Sequence, residues 1–253
     1  MDLHLEDKVA VVTGGSRGLG RAISLALAAE GAKIAVNYRQ NAEMAETLVD
    51  EIRTTHGVEA CAVEADVSKE ADVAEMFRLV ENRFSHVNVV VNNAGVWPTA
   101  YVKDMTEQQW NHTLAVNLTG PFLTCREAVR RWLHSGRPGR IVNVSSQAAF
   151  RGSTTGHADY AASKAGLVTF TVSLAREAAP HGVHVNAVAA GMMVTDMARE
   201  ALEKNEKQYL KRIPLGRIAD PAEIANVVVF LASDRAGYMT GATVDVTGGM
   251  LMR

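Results

Sequence analysis

Short apolar runs rich in β-branched residues alternate along the whole chain with longer amphipathic stretches, and no other feature constrains the fold as tightly. The runs occupy residues 8–13, 33–37, 59–63, 87–92, 140–144, 183–189 and 243–246. Runs this short and this continuously apolar suit strands covered on both faces, and the stretches between them are long enough to cross over as helices. The pattern predicts an α/β fold, a doubly wound parallel seven-stranded sheet with helices on both faces. Helix starts are written in capping chemistry. Thr106 stands three residues before Gln109, and Asp220-Pro221-Ala222-Glu223 combines a cap, a proline in the first helical position and an acid in the third. Long helices are expected over 106–133 and 157–179, and an amphipathic one over 21–30. With 253 residues, 47% of them hydrophobic, and no repeat, linker or composition break, a single domain is expected over 1–253.

Acids and bases are mixed along the chain at a net charge of −2, which gives no electrostatic reason to expect nucleic acid or an anionic membrane as partner. Residues 1–8 lack a hydrophobic signal core, and no stretch approaches the roughly 20 apolar residues that span a bilayer, so a soluble, cytoplasmic protein is expected. Cys61 and Cys125 are too few for a disulfide framework or a zinc site and read as reduced, buried thiols. No His-Glu-x-x-His, Cys-x-x-Cys or carboxylate cluster suggests a metal. Small-molecule partners are the expectation.

The first run leads directly into Thr13-Gly14-Gly15-Ser16-Arg17-Gly18-Leu19-Gly20 and then a helix. Glycines at 14, 18 and 20 let the backbone turn tightly and approach a pyrophosphate, while free N–H groups and the helix dipole favour the anion. The Gly-xxx-Gly-x-Gly spacing differs from the Gly-x-Gly-xx-Gly dinucleotide fingerprint, and a purely structural turn is the alternative. Acid–base chemistry is written elsewhere. Tyr160 and Lys164, in Tyr-Ala-Ala-Ser-Lys, stand four apart, so a helix places phenol and ammonium on one face, where the cation can stabilise phenolate. Ser145 and Ser146, a short way upstream, are adjacent at a strand end and point to opposite sides.

With Asp66-Val67, Asn92-Asn93-Ala94-Gly95 and Asn117, these motifs follow the order of the short-chain dehydrogenase/reductase family, which the sequence resembles over essentially its whole length. Within that family the likeness is to 3-oxoacyl-[acyl-carrier-protein] reductases and their relatives, including residues 241–249. The resemblance implies a Rossmann-type fold and oxidoreduction of CH–OH and C=O groups with a nicotinamide cofactor. It implies Asn117, Ser146, Tyr160 and Lys164 as the catalytic set. Tyr160 is the proton donor in reduction, Ser146 the hydrogen-bond donor to the carbonyl, Lys164 the partner of the nicotinamide ribose, and Asn117 the holder of a water linking that lysine to solvent. Ser146 precedes Tyr160 by one residue more than is usual in the family, which implies an insertion in the loop between them. Ser145 reads as a sheet-terminal hydroxyl that caps backbone groups. The implied cofactor contacts are Gly14, Ser16, Arg17, Gly18, Leu19, Gly20, Tyr38, Arg39, Asp66, Val67, Asn93, Ala94, Gly95, Tyr160, Lys164, Gly191, Met193 and Thr195, with Asp66 and Val67 against the adenine.

NAD-specific relatives end the second strand with an acid, whereas this chain has Asn37-Tyr38-Arg39. Arg39 and Arg17 offer two guanidinium forks for a 2′-phosphate, so NADP(H) is expected; two solvated surface arginines are the alternative. Ala190-Gly191 replaces the family's usual Pro-Gly, which frees the loop at Met193 and Thr195 from proline's restriction. A mobile substrate lid is implied over about 192–214. Trp97, Gln147, Phe150, His157, Met192 and Tyr209 are candidate pocket residues with ordinary packing as the rival reading of each, and His157 reads as a helix-start residue rather than a base. Arg137 and Arg176 occupy positions corresponding to carrier-docking arginines. Small or apolar residues on more than one helix face (Ala128, Val129, Ala165, Val168, Val172 and Ala175) accord with the homotetramer that the resemblance implies. Three functions stand open: NADPH-dependent reduction of a 3-oxoacyl thioester, free or carrier-linked; NAD(P)-dependent dehydrogenation of a sugar, polyol, steroid or other small alcohol; and non-enzymatic nucleotide sensing.

Overall fold

In a computed structural model that describes residues 2–153 and 155–252, the strands are β1 (Val9–Val12), β2 (Lys33–Tyr38), β3 (Ala60–Glu64), β4 (Val89–Asn92), β5 (Gly139–Ser146), β6 (Val183–Ala190) and β7 (Thr243–Val246). They form one parallel sheet in the order β3-β2-β1-β4-β5-β6-β7. The helices are α1 (Gly18–Ala29), α2 (Ala42–His56), α3 (Glu70–Phe84), α4 (Glu107–Leu114), α5 (Gly120–Ser135), α6 (Ala148–Arg151), α7 (Ala158–Ala178), α8 (Arg199–Leu210) and α9 (Pro221–Ala232). All seven apolar runs are strands. β5 and β6 run further than the apolar pattern predicts, because Ser145 and Ser146 pair in register with Ala189 and Ala190.

Alternate strand residues feed two cores, as the pleat requires. Val12, Val36, Val91 and Val188 pack with Ile23 and Leu27 of α1, Leu48 and Ile52 of α2, and Ile224 and Val228 of α9. Val11, Val90, Ile141 and Val185 face the other way onto Phe77 of α3, Trp132 of α5 and Leu174 of α7. Both predicted capping boxes form, with the Gln109 N–H donating to Thr106 Oγ1 at 3.2 Å and the Asp220 N–H to Glu223 Oε2 at 3.0 Å. The helix expected over 106–133 is interrupted. A π-helical turn, Ala115–Thr119, joins α4 to α5 and carries buried Asn117, an irregularity of the kind that marks functional positions. The chain leaves β1 for β2 and β3 on one side and returns to β4 on the other, so a crevice opens at the carboxyl ends of β1 and β4.

Of the small residues flagged on the long helices, Ala128 and Ala175 lie in the chain's own core, while Val129, Ala165, Val168 and Val172 are half-buried. Phe122 and Leu133 on α5 are 40% and 45% exposed, and Phe122 meets Phe170 of α7 edge-on at 6.1 Å. Cys61 and Cys125 are free thiols, pushed by burial up to about 11 and about 12. Among the described residues, no helix is long and apolar enough to cross a membrane.

Candidate active site

The glycine-rich turn and the loop after β4 interlock at the crevice. Thr13 Oγ1 accepts from the N–H groups of Asn93 and Ala94, each at 3.0 Å, and Asn93 Nδ2 donates to the carbonyls of Thr13 at 3.0 Å and Gly14 at 3.1 Å. Gly20 has no room for a side chain: a Cβ there would lie 2.1 Å from the Gly14 oxygen and 2.6 Å from Asn93 Nδ2. Gly14 sits at φ +59°, with Ala94 Cα 3.0 Å from where its Cβ would be. Such a cradle of bare backbone, ending at the N-terminus of α1 with no acid in its first turn, fits a pyrophosphate.

Every expected cofactor residue lines this cleft except Gly191, which lines the neighbouring cavity. Asn37, not anticipated, is central to the cleft's outer wall. It is buried, its Oδ1 accepts from the Gly14 N–H at 3.2 Å, and its Nδ2 donates to the carbonyls of Val63 at 3.3 Å and Ala65 at 3.1 Å. A polar residue inside the apolar run at 33–37 was the available signal. Arg39 lies 4.0 Å from the Asp66 carboxylate, a long contact that leaves its fork available. Burial pushes the Asp66 carboxyl up, but two hydrogen bonds from Ser68 and the Arg39 charge outweigh it and hold the group below its ordinary value. Arg17, exposed at the N-cap of α1, completes the positive rim.

The acid–base group stands where the cleft meets the cavity. Ser146 ends β5, Tyr160 and Lys164 lie on the first turns of α7, and Tyr160 lines both spaces. Lys164 Nζ is 5.7 Å from the Tyr160 ring centroid and donates to the Val144 carbonyl at 2.8 Å. Burial lowers the lysine from 10.5 to about 8. Burial also raises the Tyr160 phenol, against a hydrogen bond with Ser146 that lowers it. A phenol kept neutral by burial is the form that can give a proton away.

The two serines diverge as expected. Ser145 Oγ turns into the core and donates to the Lys164 carbonyl at 3.1 Å, whereas Ser146 Oγ accepts from the Ala148 N–H at 3.2 Å and faces the cavity. The Asn117 side chain is engaged by protein: its Oδ1 accepts from the Val96 N–H at 2.8 Å, and its Nδ2 donates to the Val96 carbonyl at 2.9 Å and to Ser163 Oγ at 3.2 Å. One turn earlier, Thr113 Oγ1 donates to buried Asp159 Oδ2 at 2.5 Å, so two successive rungs tie the bulged helix to α7 on either side of Tyr160.

Beyond Tyr160 the cavity is walled by Trp97, Gln147, His157, Met192 and Tyr209, as anticipated; Phe150 lies outside it. His157 is the N-cap residue of α7, its Nδ1 2.8 Å from the Pro98 carbonyl and its ring stacked on Trp97 at 4.3 Å. The segment through Gly191 is pinned despite the missing proline, since the Ala190 carbonyl accepts from the Gln147 N–H at 3.1 Å and the Gly191 N–H donates to Val246 at 3.0 Å. Arg137 precedes β5 and Arg176 is in the last turn of α7, which puts both at the amino edge of the sheet, opposite the cleft within this chain.

Comparison with known proteins agrees with this geometry. A family model described as enoyl-(acyl carrier protein) reductase matches residues 14–251. A crystal structure of a short-chain type dehydrogenase/reductase from Mycobacterium marinum superposes with a TM-score of 0.95 at 30% identity, over 100% of this chain and 98% of that one. This chain belongs to the short-chain dehydrogenase/reductase family. It is thereby an oxidoreductase of CH–OH and C=O groups that uses a nicotinamide cofactor. Other members are similar over nearly full length. The 3-oxoacyl-[acyl-carrier-protein] reductase FabG of Staphylococcus epidermidis is 44% identical over 97% of this chain and 100% of its own, and that of Aquifex aeolicus 41% identical over 99% and 100%. A dehydrogenase/reductase from Sinorhizobium meliloti superposes with a TM-score of 0.91 at 34% identity, covering 98% and 97% of the two chains.

Proposed function

We propose that this short-chain dehydrogenase/reductase reduces the ketone of a 3-oxoacyl thioester to the secondary alcohol with NADPH. The observation that carries the reading is Tyr160, a phenol that lines one cavity with Ser146 and is shared with the nucleotide cleft beside it. The names of relatives at 41–44% identity support the thioester. Arg39 and Arg17, with no acid at the end of β2, support NADP(H) over NAD(H).

When bound, the cofactor supplies hydride. The chain's own residues do the rest. Residues of the glycine-rich turn hold the pyrophosphate, Asp66 and Val67 meet the adenine, and Asn93, Ala94, Gly95, Met193 and Thr195 line the inner end of the cleft. Ser146 Oγ donates to the substrate carbonyl and fixes it beside Tyr160, whose Oη passes its proton to the oxygen as negative charge develops there. Lys164, anchored on the Val144 carbonyl, holds positive charge next to the phenol and meets the ribose. The Asn117 side chain clamps the loop after β4 to α7, and Asn117 is the proposed holder of a water linking Lys164 to solvent.

Residues 192–214 serve as a lid. α8 contributes no fully buried residue and breaks at Asn205, which has φ −138° within the helix, so little apolar contact holds it down. Exposed Phe122 and Leu133 on α5 favour burial against further copies in a homotetramer. NADPH consumption with acetoacetyl thioesters, set against a panel of neutral ketones, sugars and steroids, tests the assignment. Turnover of the thioester at a kcat/KM at least about tenfold above the panel is expected, and preference for a sugar or steroid would replace it.

A further inference from the structure

The wall of the substrate cavity carries an unbalanced charge. We propose that Arg151 and Arg212 form an anion-recognising mouth, so that the ketone reduced here bears a carboxylate or phosphate on its tail; this rests on the reductase reading for the reacting end of the molecule. The two guanidiniums line the cavity from different walls, Arg151 at the end of α6 close after Ser146, and Arg212 just beyond α8 on the lid. Among the described residues, no aspartate or glutamate lines the cavity, and neither arginine has a carboxylate within ion-pair distance. Arg21, Arg53, Arg78, Arg131 and Arg217 each hold one.

Arg151 is not merely loose on the surface, since its Nη1 donates to the Met250 carbonyl, which fixes the guanidinium to the wall and leaves its other N–H groups for a ligand. Arg212 is close enough to Tyr209 for its charge to oppose the burial that raises that phenol. Much of the remaining wall is apolar, with Trp97, Met192, Met193 and Met250. A lid that brings one guanidinium toward another across an apolar space gains from an anion between them and is opposed without one. Two planar forks suit a carboxylate or a phosphate. The phosphate of a pantetheine arm and the carboxylate of a keto acid both meet this requirement.

The experiment compares two matched pairs on the NADPH-saturated enzyme: acetoacetyl-4′-phosphopantetheine against acetoacetyl-N-acetylcysteamine, and 4-oxopentanoate against its methyl ester. Turnover is measured together with calorimetric binding of each to the NADP⁺ complex. The anionic member of at least one pair is expected to lead by about tenfold or more, as charge-assisted hydrogen bonds allow. Which pair shows the lead identifies the source of the anion. Arg212→Ala and Arg151→Ala should each cut that ratio at least about fivefold, and raising ionic strength from about 0.05 to about 0.5 M should shrink it in the unaltered enzyme. The salt series remains decisive if Arg151→Ala loosens the segment at Met250. Ratios near one in both pairs, in turnover and in binding, overturn the mouth while leaving thioester reduction standing. Failure to reduce either thioester, with the binding preference intact, overturns the reductase reading and keeps the anion site.

Discussion

Adjacent serines with opposite tasks give the sharpest test of how the site is built. Ser145 is 1% exposed and makes one hydrogen bond, 3.1 Å long, to the Lys164 carbonyl, which as part of α7 also has its helical partner. Ser145→Ala removes that single bond and a hydroxyl's volume, a loss of about 1 kcal/mol in stability, or about 2–4 °C in Tm for a chain of this size. Lys164 stays anchored through Nζ on the Val144 carbonyl, so kcat should fall by less than about tenfold. Ser146→Ala removes a donor aimed at the oxygen where charge develops, a change that costs about 10²–10³ in kcat, and for the fold it gives up the 3.2 Å bond that Ser146 Oγ accepts from the Ala148 N–H. Denaturant melts and initial rates with NADPH and an acetoacetyl thioester read both effects. Equal losses of kcat in the two variants, or a Ser146→Ala enzyme within about tenfold of the parent, would refute the division of labour.

Arg39→Asp should move the ratio of kcat/KM for NADPH over NADH toward NADH by about ten- to a hundredfold, the worth of a charged hydrogen bond; an unchanged ratio assigns the arginine to solvent. Gly20→Ala should weaken NADPH binding at least about tenfold and lower stability by about 1–3 kcal/mol, because its Cβ would meet the Gly14 oxygen at 2.1 Å; calorimetric titration showing parental affinity would contradict the interlock. Lys164, lowered by burial to about 8, is protonated below that pH and neutral above it. The pH profile of kcat/KM for NADPH, which reports ionisations of the free enzyme, should therefore fall as pH rises through about 8, and a profile level to about pH 9.5 would deny the lysine's charge a role.

The sheet was legible because strands covered on both faces leave continuous apolar runs, and the capping boxes at Thr106 and Asp220 marked helix starts without ambiguity. Residues were less legible where tertiary contacts decide. The π-helical turn at Asn117 ends directly before Gly120-Pro121, a dipeptide that marks a helix start in the sequence, while the bulge itself shows only in the packing against Val96 and Ser163. Asn37 joins the cleft because one side chain spans three backbone segments, a relation that spacing does not encode. Burial raises the Tyr160 phenol and lowers the Lys164 ammonium in the folded chain, an effect that their spacing along a helix does not encode.

The central claim is that Tyr160 delivers the proton while separate groups hold the dinucleotide. Tyr160→Phe tests it most directly, with NADPH affinity followed by fluorescence titration and thioester reduction by nicotinamide absorbance on the same preparation. The account predicts affinity within about threefold of the parent and turnover lowered at least about a hundredfold. Turnover near the parental rate, with the cofactor still bound, would contradict it.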